Sequence, residues 1–361
     1  MKFIFVILAA ALLSSCQIGY MVKSGYHQMA LLSKRVPIDE ALKDPNLDAA
    51  TKNKLILSQE VRRFAEQELK LASTKNYTSY VQLEKPYVSY VVSAAPKFKL
   101  EHYLWWFPIV GKIPYKGFST EEDAKDEQTE LKNKNLDTYL RGVSAYSTLG
   151  WFNDPLLSSM MRSKEFHLVN TIIHETVHAT LYIKSSADFN ERMAVFLGNK
   201  GTDLFYQMKE GTSSPTLKQI QAENEDDRIF SVFIGDEITA LTAWYEKQPE
   251  KNPSEEDREK RFTEIKNHFA EKVQPYLKTD VYKKFGDSEI NNARLMLYKT
   301  YMQDLSDFEK LFELTKGSYH DFLKCCEKLK KADHPEEGLK QIIGKLTENS
   351  LSTCENLEIK F

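Results

Sequence analysis

The chain predicts an α+β fold: a small mixed sheet standing before a helix that carries His174 and His178, then a mainly helical C-terminal half. Three observations carry this. From 77 to 118, and again from Leu136 to Ser147, β-branched and aromatic residues dominate, as they do in half-buried strands. Phe166, Val169, Ile172, Ile173, Val177 and Leu181 recur at helical spacing. Beyond residue 200 the helical period continues, with Pro253 and Pro335 as punctuation.

The N-terminus opens with Lys2 and the apolar run Phe3–Leu13, too short for the ~20 residues of a spanning helix. It reads as the core of a secretory signal over residues 1–15. Leu13-Ser14-Ser15-Cys16 fits a bacterial lipobox, with cleavage before Cys16 and lipid on its thiol; the other reading is an ordinary signal with an incidental cysteine. Lipid would anchor the protein to a membrane without spanning it. Gln17 and Ile18 follow with no Asp, so the expected location is the cell envelope, at the outer membrane facing the periplasm.

Residues 17–34 are expected to pack back as a short helix. Asp48–Ser73 is helical, with Leu55, Ile56, Val61, Phe64 and Leu69 on its apolar side. Strands are expected around Tyr80-Val81, over Tyr87–Val92 and over Tyr103–Phe107. A polar helix follows from Thr120 to Asn135, then a strand from Leu136 to Ser147. Helices are expected at 215–247, 254–276, 287–315, 318–331 and 336–347. The division is residues 16–200 as an α+β catalytic subdomain and 201–361 as a helical subdomain closing its cleft.

At 361 residues and 42% hydrophobic, the chain can bury a substantial core. A formal charge of −3, with Lys and Arg spread among the acids, gives no basic stripe and excludes a nucleic-acid partner. Oligomeric state is not encoded in any pattern here. Of the cysteines beyond Cys16, Cys354 could bridge to Cys325 or Cys326 in an oxidising compartment, leaving one thiol free; adjacent cysteines also occur unbonded in buried helices.

The chemistry lies in His174-Glu175-Thr176-Val177-His178. Residues four apart share a helix face, so both imidazoles can reach one ion, and Glu175 can touch a water bound to it. The plain alternative is two histidines and a Glu on an ordinary amphipathic helix. After the polar segment Lys184–Asp188, Asn190-Glu191-Arg192-Met193-Ala194 opens another helix that can set Glu191 opposite the pair. Asp188-Phe189-Asn190-Glu191 equally fits a capping box, with Glu191 at N3. His167 is two turns away, ~10 Å by helical rise, too far to share the ion. Asp154 is a conceivable acidic partner for a free amine, but beside Pro155 it reads rather as a turn residue.

These two stretches together resemble the gluzincin metallopeptidases, whose third ligand is a Glu on the next helix. The interval from His178 to Glu191 is shorter than in the large gluzincin aminopeptidases, which requires a tight connection. Tyr146-Ser147-Thr148-Leu149-Gly150-Trp151-Phe152-Asn153-Asp154-Pro155-Leu156 resembles the bacterial putative-aminopeptidase lipoprotein family. So do Trp106-Phe107-Pro108, Gly111, Tyr115-Lys116-Gly117, Phe189-Asn190-Glu191 and Asn291-Asn292-Ala293-Arg294. The similarity covers most of the chain, to about residue 330. Many relatives carry a cysteine pair near Trp106 and Lys112; neither is Cys here, so no disulfide is expected in that loop.

The resemblance implies a gluzincin-like fold, a peptide substrate, and one zinc ion per chain on His174, His178 and Glu191, with Glu175 as general base. Tyr301 is the candidate oxyanion donor, a core tyrosine being the alternative. Ser147, Thr148, Leu149 and Gly150 are the candidate edge that pairs with an extended substrate. Two rivals stand beside this reading: an envelope scaffold that binds peptides without cleaving them, and a zinc amidase on a non-peptide amide.

Overall fold

A computed structural model describes residues 19–107, 111–145, 148, 152–247, 254–301, 304–355 and 357, with the backbone but not the side chains of Thr300 and Tyr301. The expected elements Cys16, Ser147, Leu149 and Gly150 lie outside the described residues. A helix α1 over 19–33 is followed by β1 (Val36–Pro37), the single turn α2 (Ile38–Ala41) and α3 (Ala49–Gln67). Strands β2 (Ser79–Val81), β3 (Ser89–Pro96), β4 (Trp105–Phe107), β5 (Gly111–Ile113) and β6 (Tyr115–Phe118) precede α4 (Glu121–Asn133), β7 (Leu136–Val143) and β8 (Leu156–Leu157). The long helices α5 (Glu165–Thr180), α6 (Ala187–Glu210), α7 (Pro215–Glu246) and α8 (Glu255–Lys272) come next. The shorter α9 (Asn292–Tyr301), α10 (Ser306–Leu314), α11 (Tyr319–Glu327) and α12 (Pro335–Glu348) complete the described order.

The α+β class stands, but the one mixed sheet resolves into three small ones. Among the described residues, β1, β2 and β8 form a mixed sheet, β6-β3-β7 an antiparallel one, and β4-β5 a two-stranded ribbon. In the second sheet β3 is central and pairs with β7 from Ser89↔Val143 to Pro96↔Leu136. β7 therefore ends four residues earlier than the aromatic pattern suggested, and β3 runs on to Pro96. The expected helix over 287–315 is likewise broken into α9 and α10. The physical reason is a turn: the Asp304 carboxylate accepts from the Ser306 backbone N–H and hydroxyl at 2.8 and 2.7 Å, starting a new helix there.

The helix of the histidine motif is buried because its neighbours are small. On α6, Ala194, Gly198 and Gly201 lie at i, i+4 and i+7 along the contact with α5, the most extensive between helices among the described residues. A Cβ at Gly201 would sit 2.7 Å from the Leu69 Cδ1 and 3.2 Å from Ile173; one at Gly198 would sit 3.4 Å from the Asn170 amide. Leu55, Val61 and Leu69 from the α3 region, together with Ile172, Ile173 and Val177, fill the layer beneath.

The other side of the fold is held by Asn292 at the start of α9. Its backbone N–H donates to the Asp137 carboxylate at 2.9 Å, and its side chain donates to the Pro96 and Lys97 carbonyls at 2.9 Å each. Its Oδ1 accepts from the Tyr245 hydroxyl at 3.0 Å, and Asn291 donates to the Thr138 carbonyl at 3.1 Å. Asp137 also pairs with Arg258, which is 2% exposed, so the ends of β3 and β7 and the helices α7, α8 and α9 meet at one buried polar cluster. Cys325 and Cys354 are disulfide-bonded, joining α11 to the segment after α12, while Cys326 is a buried free thiol that burial pushes far above its ordinary range. No helix among the described residues is long and apolar enough to cross a membrane.

The close approach of α5 and α6 is directly testable. Gly201→Val inserts methyl groups where no space exists, and should cost about 1–3 kcal/mol of unfolding free energy. Denaturant titration of the variant checks it; unchanged stability would contradict the packing described.

Candidate metal centre

α5 delivers His174 and His178 to one face, one helical turn apart. Their Nε2 atoms stand 3.1 Å from each other. The Glu191 carboxylate lies 3.4 Å from the His174 Nε2 and 3.6 Å from the His178 Nε2. One ligand atom from each residue falls within 4.8 Å of the others, the only such group of metal-binding character found among the described residues. Ligands held ~2.0–2.1 Å from one tetrahedral ion lie roughly 3.3 Å apart, so these spacings suit a single small dication. Two imidazoles and a carboxylate are also a donor set that zinc favours.

What puts Glu191 there is the connection between the helices. The buried Asn190 side chain makes two hydrogen bonds to one residue of that connection. Its Nδ2 donates to the Ile183 carbonyl at 2.7 Å and its Oδ1 accepts from the Ile183 N–H at 2.8 Å. The clamp folds residues 181–186 into the tight turn that the short interval required, with Ser185 at φ +61°. The capping-box reading of Glu191 does not hold. α6 begins at Ala187 with Ser186 as its N-cap, so Asp188 is already inside the first turn and Glu191 points at the histidines.

The charges follow from this geometry. Burial opposes ionisation of Glu191, but hydrogen bonds from His174 and His178 and their charges outweigh it and hold the carboxyl well below its ordinary range. Burial likewise opposes the His178 imidazolium, yet the hydrogen bond and charge of Glu191 win and raise its pKa above 6.5. Burial raises the Glu175 carboxyl, only partly offset by the two histidines. A bound dication would reverse part of this, favouring neutral imidazoles and an ionised Glu175.

Around the centre, Asp154 holds a turn, as its sequence context suggested. Its carboxylate accepts from the Thr148 backbone N–H and hydroxyl at 2.8 Å each. Its own N–H donates to the Asn76 side chain at 2.9 Å, and its carbonyl accepts from the Tyr77 N–H at 2.6 Å. Tyr77 adopts φ +60° here and is buried beside Glu175, whose charge adds to burial in raising the phenol. His167 faces away from the centre and pairs with the buried Glu223 at 2.7 Å, joined by Lys164 at 2.8 Å, which ties α5 to α7.

The centre opens into a cleft of about 1250 Å³, bounded by α1, the β3–β6 region and α9. A smaller cavity of about 360 Å³ also touches His174 and Glu175, next to the end of β7. Thr148 is the one member of the expected substrate edge within the described residues, and its polar groups are taken up by Asp154. The side chain of Tyr301 is not described; Leu297 and Tyr298 of the same helix line the cleft, as does Tyr182 just after α5. Tyr182 and Arg141 escaped sequence reasoning, since neither lies in a motif. Only the strand register places Arg141, opposite Val91, at the cleft.

One family model, described as "Putative aminopeptidase", matches residues 19–340. No curated protein and no solved structure matches the chain.

Asn190→Ala removes both bonds to Ile183 and leaves its N–H and carbonyl buried. A loss of about 1–3 kcal/mol in stability is expected, with weakened metal affinity in a chelator-competition titration. Unaltered affinity would show that the clamp does not position Glu191.

Proposed function

The chain belongs to the putative aminopeptidase family, and on that premise we propose that it is an envelope-anchored zinc peptidase. The observation that carries the zinc reading is the convergence of His174, His178 and Glu191 within bonding reach of one ion. Supporting the anchored location is the lipobox Leu13-Ser14-Ser15-Cys16. Bound at this centre, zinc would supply a water acidified to a pKa near ~7 and would polarise the scissile carbonyl.

The protein's own groups do the rest. Glu175, one position round the helix from His174, accepts the proton of the attacking water. It then hands that proton to the leaving amine nitrogen. His174, His178 and Glu191 stay in place because α5 and α6 are locked together by Gly198, Gly201 and the Asn190 clamp. The oxyanion needs a donor besides the metal. Tyr182 and Tyr298 line the cleft and carry the required hydroxyls, and Tyr301 follows on the helix of Tyr298. The intact Glu175 weighs against a silent scaffold, which has no use for a base.

Zinc and protons should compete at this centre. Without metal, the raised His178 pKa contributes stability that is full below 6.5 and lost as pH rises through the folded value. The depressed Glu191 pKa contributes stability present above 4.5 and lost as pH falls through its folded value. The metal-free pair is therefore most favourable between 4.5 and 6.5. Since zinc needs neutral imidazoles, its stabilisation should grow with pH. Thermal melts with and without zinc at about pH 5.5 and about pH 7.5 check this; a larger shift at the lower pH would refute it.

The direct test of function combines content and turnover. The processed protein should hold one zinc, and His178→Ala should lose it. Glu175→Gln should retain the metal while turnover falls ~10²–10⁴-fold. Wild-type turnover in that variant, or full zinc in His178→Ala, would remove the residue from its role.

A further inference from the structure

The outer face of α1 is apolar and open to solvent. Val22, Tyr26 and Met29 lie at i, i+4 and i+7, so they form one stripe. They are 68%, 70% and 58% exposed, with Met21 beside them at 40%. The opposite face holds the helix to the body. The Tyr20 hydroxyl donates to the Gly117 carbonyl at 2.6 Å, and its ring packs on Phe107 and Phe118. Tyr20, Ser24, His27 and Leu31 line the cleft. α1 is thus a wall one helix thick, with the cleft on one side and the exposed stripe on the other. Single apolar residues scattered over a surface need no explanation, but a stripe at helical spacing on one element does.

Two features of the sequence bear on what covers this stripe. The first is position. Gly19 begins α1 three residues after Cys16, the lipid-bearing residue of the anchored reading, and three residues reach at most ~10 Å. A chain tethered there cannot carry the start of α1 far from the bilayer surface. The second is charge. From Gln17 to Ile38 the sequence holds Lys23, Lys34 and Arg35 and no Asp or Glu. Asp123 and Glu84, which approach from other elements, are paired with Lys23 and Lys34 at 2.7 and 2.8 Å. No carboxylate of the helix itself repels an anionic headgroup layer. A helix with an apolar stripe and basic residues beside it suits the interface plane of a bilayer. Tyrosine suits that depth because its ring is apolar and its hydroxyl polar.

We propose that α1 lies on the membrane surface through Val22, Tyr26 and Met29, so that the cleft sits against the bilayer with a single helix between them. The separation is about one helix diameter, ~10–12 Å. The proposal rests on the envelope-anchored reading for its tether and on the exposed stripe for its contact.

The contact is tested without the tether. The processed chain carrying Cys16→Ser has no acyl group, and is mixed with vesicles of phosphatidylethanolamine and phosphatidylglycerol at about 3:1. Cosedimentation should show reversible binding, and adding Val22→Ser, Tyr26→Ser and Met29→Ser together should weaken it about tenfold or more. These side chains are exposed, so the fold should survive, which an unchanged melting temperature checks. Met208→Ser with Val232→Ser, at exposed apolar positions on α6 and α7, is the control and should bind as the parent does. No binding by the parent, or equal loss in the triple and control variants, overturns the proposal. So does a dimer that the triple variant abolishes while vesicles go unbound, because a second copy is then the occupant. On the same vesicles, a nitroxide on Tyr26→Cys of the acylated protein should meet oxygen more readily than an aqueous quencher, and one on Val232→Cys should show the reverse. Acyl labelling of the wild-type chain reads the tether separately. A labelled protein whose Tyr26→Cys probe stays in water overturns the docking alone. An unlabelled protein removes the anchored reading, and vesicle binding by the Cys16→Ser chain still decides the contact.

Discussion

The short connection between α5 and α6 is the constraint on which the candidate site depends. A helix can place His174 and His178 side by side from its own geometry, but it cannot supply a third group opposite them. That group must come from another element returning at the right height. Asn190 achieves this by binding both backbone groups of Ile183, so the chain reverses within a few residues and Glu191 arrives 3.4 Å from His174. The small residues Ala194, Gly198 and Gly201 then let the two helices stay in contact for several turns, which carries the alignment set at the turn along the pair.

The second organising point is distant in sequence. Asn291 and Asn292 begin α9 against the ends of β3 and β7, where Asp137 and Arg258 form a buried ion pair. Such a pair adds little net stability once desolvation is counted, but its hydrogen bonds fix how the elements that supply them meet. Its consequence is positional. α9 is fixed across the sheet, and Leu297 and Tyr298 are thereby brought to the cleft that His174 and Glu175 also line. The helical C-terminal half contributes to the cleft through this contact.

The electrostatics of the cleft divide into two parts with different owners. At its base, carboxylate and imidazole shift each other in opposite directions, as a close pair of opposite charges does. Along its wall stand Lys85, Lys112 and Arg141.

The sequence by itself determined what local geometry controls. The i, i+4 histidines, the helix that carries them, the strand character of 77–118 and the helical second half all follow from short-range periodicity, and each is present. The bridge to Cys354 was legible as one of two pairings, and packing chose Cys325. Tertiary structure alone decided the rest. Whether Glu191 caps α6 or faces the histidines depended on where α6 begins and on how the Asn190 clamp turns the chain, neither of which a motif encodes. The splitting of one sheet into three, and the break between α9 and α10, came from long-range pairing and a single Asp304 turn. Arg141 and Tyr182 were invisible because a strand residue's face is set by register with its neighbour, and a loop residue's surroundings by elements far away in the chain.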